Sequence, residues 1–279
     1  MLEKSAPTVE AYRYDIGRFL EFLMEKKVRR AGHIKASHVV QYLGFCKQGG
    51  SADASINRYY MAIRNYCNFL MRTGAIEKEF CRDVPVPKLS VVAPRIPTRE
   101  EVMRILAQPD VTTELGCRDK AILELLYSSG LRSSEICDLE LHHLTQDSVT
   151  VLCGKRGKTR TVPITTAAYD SIMAYVLNFR GRQKGYLFVT IMGKQMRRQK
   201  LCAIVEKYAT NAGVEAVTTH TLRHTCATHL LDQGAGLRFI QEILGHKSIA
   251  STERYTHLSS ESMKSMFKTF HPRQEVAHG

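Results

Sequence analysis

At 279 residues, 44% of them apolar, the chain is long enough for two domains and a sizeable core, and a formal charge of +13 favours a polyanionic partner. Sixteen basic against 9 acidic residues through position 95, and 24 against 18 after it, make both parts positive, which suits two domains gripping one polyanion better than a basic tail on a neutral body. The eight cysteines form no C-x-x-C pair, and there is neither a secretory signal nor a long uncharged apolar run, so a disulfide framework and a membrane span are excluded and a reduced, cytoplasmic protein is expected.

Residues 7–27 place Tyr12, Ile16, Phe19, Leu20 and Leu23 at helical spacing, with Arg13 and Arg18 outside. A second segment near 36–47 and a third over 54–72, carrying Tyr59, Ile63, Tyr66, Cys67 and Leu70, complete an all-helical unit over residues 1–84. Its Lys26, Lys27, Arg29, Arg30, Arg58, Arg64 and Arg72 are either phosphate contacts or a solvated face. Four prolines, at 85, 87, 94 and 97, remove the donors that helix and sheet need, so residues 85–96 read as a linker. Thr98 with Glu101 is a capping box that opens a second domain over 97–279.

Helical periodicity runs from Cys117 to Ser129 and breaks at Gly130. The stretch SGLRSSEICDLELHHL (129–144) then puts Arg132 at the start of a new helix, where a permanent fork of donors joins free backbone N–H groups. Glu135, three residues on, is placed to orient that guanidinium; taken alone, the two read as a surface ion pair. Residues 148–152 and 161–164 read as strands around the cationic tip GKRGKTR (154–160), a hairpin. Helices near 167–178 and 197–212 are structural, with Arg197, Arg198 and Lys200 as further phosphate contacts.

The stretch from His220 to Tyr255, HTLRHTCATHLLDQGAGLRFIQEILGHKSIASTERY, is the most informative. Thr218 and Thr219 are N-cap candidates for a helix with His220 and Arg223 one turn apart on one face, while Leu222, Cys226 and Leu230 form a buried row. Asp232 to Gly236 breaks that helix. A second apolar row of Leu237, Ile240 and Leu244 ends at Gly245, delivering His246 just beyond the stop, and Tyr255 follows nine residues later.

H-x-L-R-H-T, then L-G-H, then a tyrosine nine residues on resembles the C-terminal signature of the tyrosine recombinases, the phage-integrase and Xer family. The 129–144 stretch resembles its first catalytic box, the hairpin its lysine-bearing hairpin, and the N-terminal unit its SAM-like core-binding domain. The resemblance covers essentially the whole chain. It implies a mainly α fold: a helical core-binding domain, then a mixed α/β, mostly helical catalytic domain with a small antiparallel hairpin.

It also implies site-specific recombination of double-stranded DNA at a palindromic core site, by a homo-tetramer on two sites, through a covalent 3′-phosphotyrosyl intermediate and a Holliday junction. The catalytic set carried over is Arg132, Lys155, His220, Arg223, His246 and Tyr255, with no metal, cofactor or nucleotide. Tyr255 is the nucleophile, Arg132 and Arg223 bracket the phosphate, His220 accepts the phenolic proton or hydrogen-bonds the phosphate, His246 donates to a non-bridging oxygen, and a lysine protonates the leaving oxygen. The tip departs from the expected G-K-G-x-K-x-R because Arg156 stands where glycine is usual. The G-K step assigns the acid to Lys155, with Lys158 as the alternative.

Other readings compete less well. His220 and His224 lack the glutamate of a zinc H-E-x-x-H, and Arg223 between them repels a cation. Glu135 and Asp138 have no third carboxylate for a two-metal nuclease. A type IB topoisomerase shares the tyrosine chemistry and is the alternative enzyme; a non-catalytic DNA-binding protein is the alternative from another class. In the tail, Met263, Met266, Phe267 and Phe270 recur at helical spacing, and the resemblance favours insertion of that helix into a neighbouring protomer over docking on its own domain.

Overall fold

The apolar spacing of the first 72 residues becomes three helices in the computed structural model, which describes residues 6–82, 84–85, 95–153, 158–245 and 260–273. They are α1 (Ala6–Glu25), α2 (Ala36–Gln48) and α3 (Asp53–Arg72). Phe19 and Leu23 of α1, Tyr42 of α2 and Ile63, Cys67 and Leu70 of α3 share one core, which Ile76, Phe80, Cys81 and Val84 extend beyond the last helix. The pattern of apolar residues leaves one member of this core unannounced. Asp15 is fully buried on α1, and Arg58 of α3 reaches it with an ion pair.

The chain divides into two units, Met1–Ala93 and Pro94–Gly279. The second opens as its capping box requires: Thr98 accepts from Glu101 N at 3.3 Å, and Thr98 N donates to Glu101 Oε2 at 2.9 Å. Then follow α4 (Arg99–Leu106), α5 (Glu114–Ser129), α6 (Ser133–Cys137), β1 (Ser148–Cys153), β2 (Lys158–Pro163), α7 (Thr166–Tyr175), α8 (Arg198–Asn211), α9 (Thr219–Asp232), α10 (Leu237–Leu244) and α11 (Ser260–Phe270). α7 runs on into a π turn, Val176–Arg180.

α5 is the central element, buried on almost every side, and it packs against α7 and α9. Its buried charges are therefore paired: Arg118 with Asp119 at 2.7 Å, Glu124 with Lys120 at 3.0 Å and Arg273 at 2.9 Å. The hairpin is antiparallel with Val149 opposite Val162 and Val151 opposite Arg160, and both cross-strand pairs face the core side. Cys46, Cys67, Cys81, Cys117, Cys137 and Cys226 are buried free thiols, as expected of reduced core residues. No helix among the described residues is long and apolar enough to cross a membrane.

The exchange expected of the tail belongs to an assembly of protomers. In the single chain α11 seats on its own domain, with Met263 and Phe267 in the main core. Polar contacts hold the seat: Lys264 to Asp147 at 2.6 Å, Arg99 Nη2 to Pro272 O at 2.6 Å, and Arg273 to Glu124. An apolar stripe takes whichever groove its chain can reach, and here its own domain supplies one.

Candidate active site

Four helix ends and one strand meet in the second unit. α5 stops at Gly130, whose φ of 58° is left-handed. A Cβ there would lie 3.0 Å from Leu244 Cδ2 and 3.4 Å from Cys226 Sγ, so turn and packing both require glycine. The chain reverses and Arg132 becomes the N-cap of α6. Of the two cap candidates on α9, Thr218 is used, accepting from Thr221 N at 3.1 Å. That start leaves His220 exposed one turn from Arg223, while the row of Leu222, Cys226 and Leu230 is buried as its spacing predicts.

Arg223 is the anchor. It is 6% exposed and donates from Nη1 to Gly130 O and from Nη2 to Leu244 O, the latter at 2.7 Å, tying the ends of α5 and α10 to α9. Burial pushes its pKa down to about 10, and the nearby charges of Arg132 and Arg160 press the same way against the pull of Glu135. It remains a cation at neutral pH.

Glu135 is the hub of the second layer. Its Oε1 accepts from Arg132 Nη1 and its Oε2 from Arg132 N, both at 2.9 Å. Arg160 grips the same carboxylate with both terminal nitrogens, each at 2.9 Å. Burial works to raise the Glu135 pKa, but the Arg160 hydrogen bonds and the Arg132 N–H outweigh it and hold the carboxyl below its ordinary value. The side chains of Glu135 and Arg160 are 11% and 15% exposed, whereas Arg132 is 45% exposed and faces the open side.

Arg132, Arg223, His220 and Arg198 line one cavity of about 340 Å³ together with Ser133, Ser134 and Thr219. Three guanidiniums and an imidazole around a space whose nearest carboxylate is already engaged make a site for an anion with several oxygens, and the fork of donors suits a phosphodiester. A larger cavity of about 730 Å³, lined by Leu115, Ile191, Met192 and Ile204 among others, holds no histidine, and its one buried arginine, Arg118, is taken by Asp119. The anion chemistry belongs to the smaller space.

The structure thus brings together Arg132, His220 and Arg223 of the expected set. Lys155, His246 and Tyr255 lie outside the described residues, as do residues 154–157 of the hairpin tip. Among the expected phosphate contacts, Arg198 joins the cavity, but Arg197 and Lys200 line the larger one. The apolar seam of α10 also differs. Leu237, in its first turn, is 65% exposed, and Phe239, Ile240, Ile243 and Leu244 are the buried residues, because the helix starts just after Gly236 and turns its first residue outward.

Sequence reasoning missed the role of Arg160, grouping it with a basic turn. The signal was present: period-two alternation from Val162 puts Arg160 on the same, core-facing side of β2, where a charge demands a partner.

Residues 96–262 match the phage integrase family, and residues 2–74 match the N-terminal SAM-like domain of phage integrases. The tyrosine recombinase XerD of Listeria monocytogenes serovar 1/2a is 32% identical over 279 residues, covering 96% of this chain and 94% of that protein. XerD of Staphylococcus saprophyticus is 34% identical over 282 residues, covering 98% and 95%. Among solved structures, a lambda integrase dimer (residues 75–356) bound to a COC′ core site superposes with a TM-score of 0.70 at 17% identity, covering 92% of this chain and 93% of that one, a likeness of fold.

Proposed function

The chain belongs to the phage integrase family of tyrosine recombinases, and we propose that it is a site-specific DNA recombinase that cuts and rejoins through a covalent 3′-phosphotyrosyl intermediate. The observation that carries this reading is the convergence of Arg132, Arg223, Arg198 and His220 on one cavity. Tyr255 Oη attacks the phosphorus, the P–O5′ bond breaks, the phenolic proton passes to His220, and the leaving 5′ oxygen takes a proton from Lys155, or from Lys158 in the alternative assignment.

Charge builds on the non-bridging oxygens as the phosphorus becomes five-coordinate. Arg132 and Arg223 bracket those oxygens, and His246 donates to one of them. A fixed arginine fork stabilises that charge without reorganising at the moment of reaction, the electrostatic effect that usually dominates such catalysis. Because the phosphotyrosyl ester conserves the broken linkage, rejoining is the reverse of cleavage and consumes no nucleotide. The residues named supply nucleophile, charge and proton without a metal ion.

Four protomers on two double-stranded sites, each with a palindromic core, exchange strands in pairs through a Holliday junction. In that assembly α11 leaves its own groove for a neighbour's, which couples assembly to the segment carrying Tyr255. The test is trapping on a duplex nicked near the scissile phosphate, in excess chelator. The wild-type chain accumulates a covalent adduct and Tyr255→Phe binds with unchanged affinity but forms none. An adduct with the Phe variant, or strict dependence on a divalent ion, overturns the reading.

A further inference from the structure

The contacts of Arg160 span three parts of the site. It lies on β2, on the far side of the hairpin tip from β1, yet its guanidinium grips the carboxylate of Glu135 on α6 through two hydrogen bonds of 2.9 Å. It also lies against the residue that stops α10. A Cβ built on Gly245 would be 2.9 Å from Arg160 Cζ and 3.0 Å from Nε, so the guanidinium occupies the room that only glycine leaves there. Gly245 is the chain neighbour of His246, and its φ of 63° independently favours glycine.

Charge balance says what this contact does. An i,i+3 pair of Arg132 and Glu135 alone would leave one carboxylate free to neutralise one catalytic cation, in a half-exposed pairing of little strength. With Arg160 present, four donors saturate the two carboxylate oxygens, one orientation of Glu135 remains, and two cations share one anion. A positive charge is thereby left over on the Arg132 side, the side open to the cavity.

We propose that Arg160 is a positioning residue of the recombinase site: by binding Glu135 it fixes the Arg132 guanidinium and keeps its charge available to the scissile phosphate. The assignment rests on the reading of the cavity as the recombination site.

The test compares the rate of covalent attachment at saturating DNA on two nicked duplexes, one with an ordinary scissile phosphate and one with a methylphosphonate there. The methylphosphonate lacks one non-bridging oxygen charge and so needs less help from a cation. Arg160→Met lowers the rate on the phosphate duplex by about 10- to 100-fold, less than the roughly 100- to 1,000-fold of losing a donor that touches the charge itself because Arg160 acts through Arg132, and by only a few-fold on the methylphosphonate, with DNA affinity on both little changed. Arg160→Lys, which restores charge but not the two-pronged grip, falls between wild type and Arg160→Met. Should Arg160→Met not fold, Arg160→Lys carries the same comparison.

Equal losses on the two duplexes overturn the proposal, because a hairpin that is merely misfolded costs both substrates alike. A second readout needs no reaction: in thermal unfolding, Arg160→Met and Glu135→Gln are non-additive. Additivity also overturns the proposal. If instead the wild-type chain attaches to neither duplex while the coupling persists, the recombinase reading fails and the Arg160 contact does not.

Discussion

Arg223→Lys separates the structural work of the buried guanidinium from its chemical work. The arginine fork reaches two carbonyls at once, Gly130 O at the end of α5 and Leu244 O at the end of α10. A single ammonium on a different stem reaches one of them, so one charge-assisted hydrogen bond is lost, worth about 1.5–3 kcal/mol. For a unit of this size that lowers the melting temperature by roughly 3–12 °C at about 2–4 °C per kcal/mol. The chemistry adds a pH signature.

The environment that pushes Arg223 down to about 10 does so mainly by burial, and it pushes an ammonium down from its ordinary value of about 10.4 as well. The lysine variant therefore loses its charge, and its residual cleavage, as pH rises from 7 to 9.5, whereas the arginine of the wild type keeps most of its charge over the same range. The assay is single-turnover attachment to a nicked duplex across that range, with melting followed in parallel. A variant that melts like wild type and shows a parallel pH profile would refute the anchoring role argued for Arg223.

The remaining predictions concern the glycine stops and the tail. Gly130→Ala forces a left-handed φ on a residue with a Cβ and crowds Leu244, and costs about 1–3 kcal/mol, read by chemical denaturation; a neutral outcome contradicts the packing described. Removing α11 after Leu258 uncovers the seats of Met263 and Phe267 and destabilises the domain by about 3–6 kcal/mol, so a truncated chain of wild-type stability would mean that the helix is not seated on its own domain.

His271 is buried as a neutral imidazole, its pKa pushed down to about 3 chiefly by burial, with His229, Arg273 and Arg99 adding to the fall and the Tyr127 carbonyl opposing it. The unfolded chain then binds the proton that the folded one refuses, so this group's stabilisation is full above about 6.5 and is lost as pH falls from there towards 3. The protection of α11 against hydrogen exchange, taken relative to the intrinsic exchange rate at each pH, should fall over that window, and His271→Phe should flatten the response. Binding to duplex DNA should weaken steeply with salt as lysines and arginines displace counterions; a flat response contradicts a phosphate-gripping site.

Much of the architecture was legible because periodicity and punctuation agree. Apolar spacing marked α1, α3 and α9, the Thr98 and Glu101 box marked the start of α4, and Gly130 and Gly245 marked two stops that both proved left-handed. Arg132 and Arg223 were legible by type and spacing; that one would be open and the other almost enclosed was not, since enclosure depends on α5 and α10 ending beside α9. Arg160 was obscured because charge near a hairpin tip usually faces water, and only its parity with Val162 pointed inward. Leu237 misled for the opposite reason: a first-turn leucine fits the helical pattern yet lies before the groove begins. Asp15 had no signal at all, since a lone acid on an amphipathic helix ordinarily faces solvent and its partner Arg58 is 43 residues away.

The central claim is that the cavity of Arg132, Arg223 and His220 serves a tyrosine that joins to DNA. Its most direct measurement is proteolysis and mass spectrometry of the covalent complex trapped on a nicked duplex in excess chelator. The account predicts a single modified peptide, the one carrying Tyr255, linked to the 3′ phosphate at the nick-proximal scissile position. A 5′ linkage, attachment at another of the chain's 12 tyrosines, or no adduct until a divalent ion is added would contradict it.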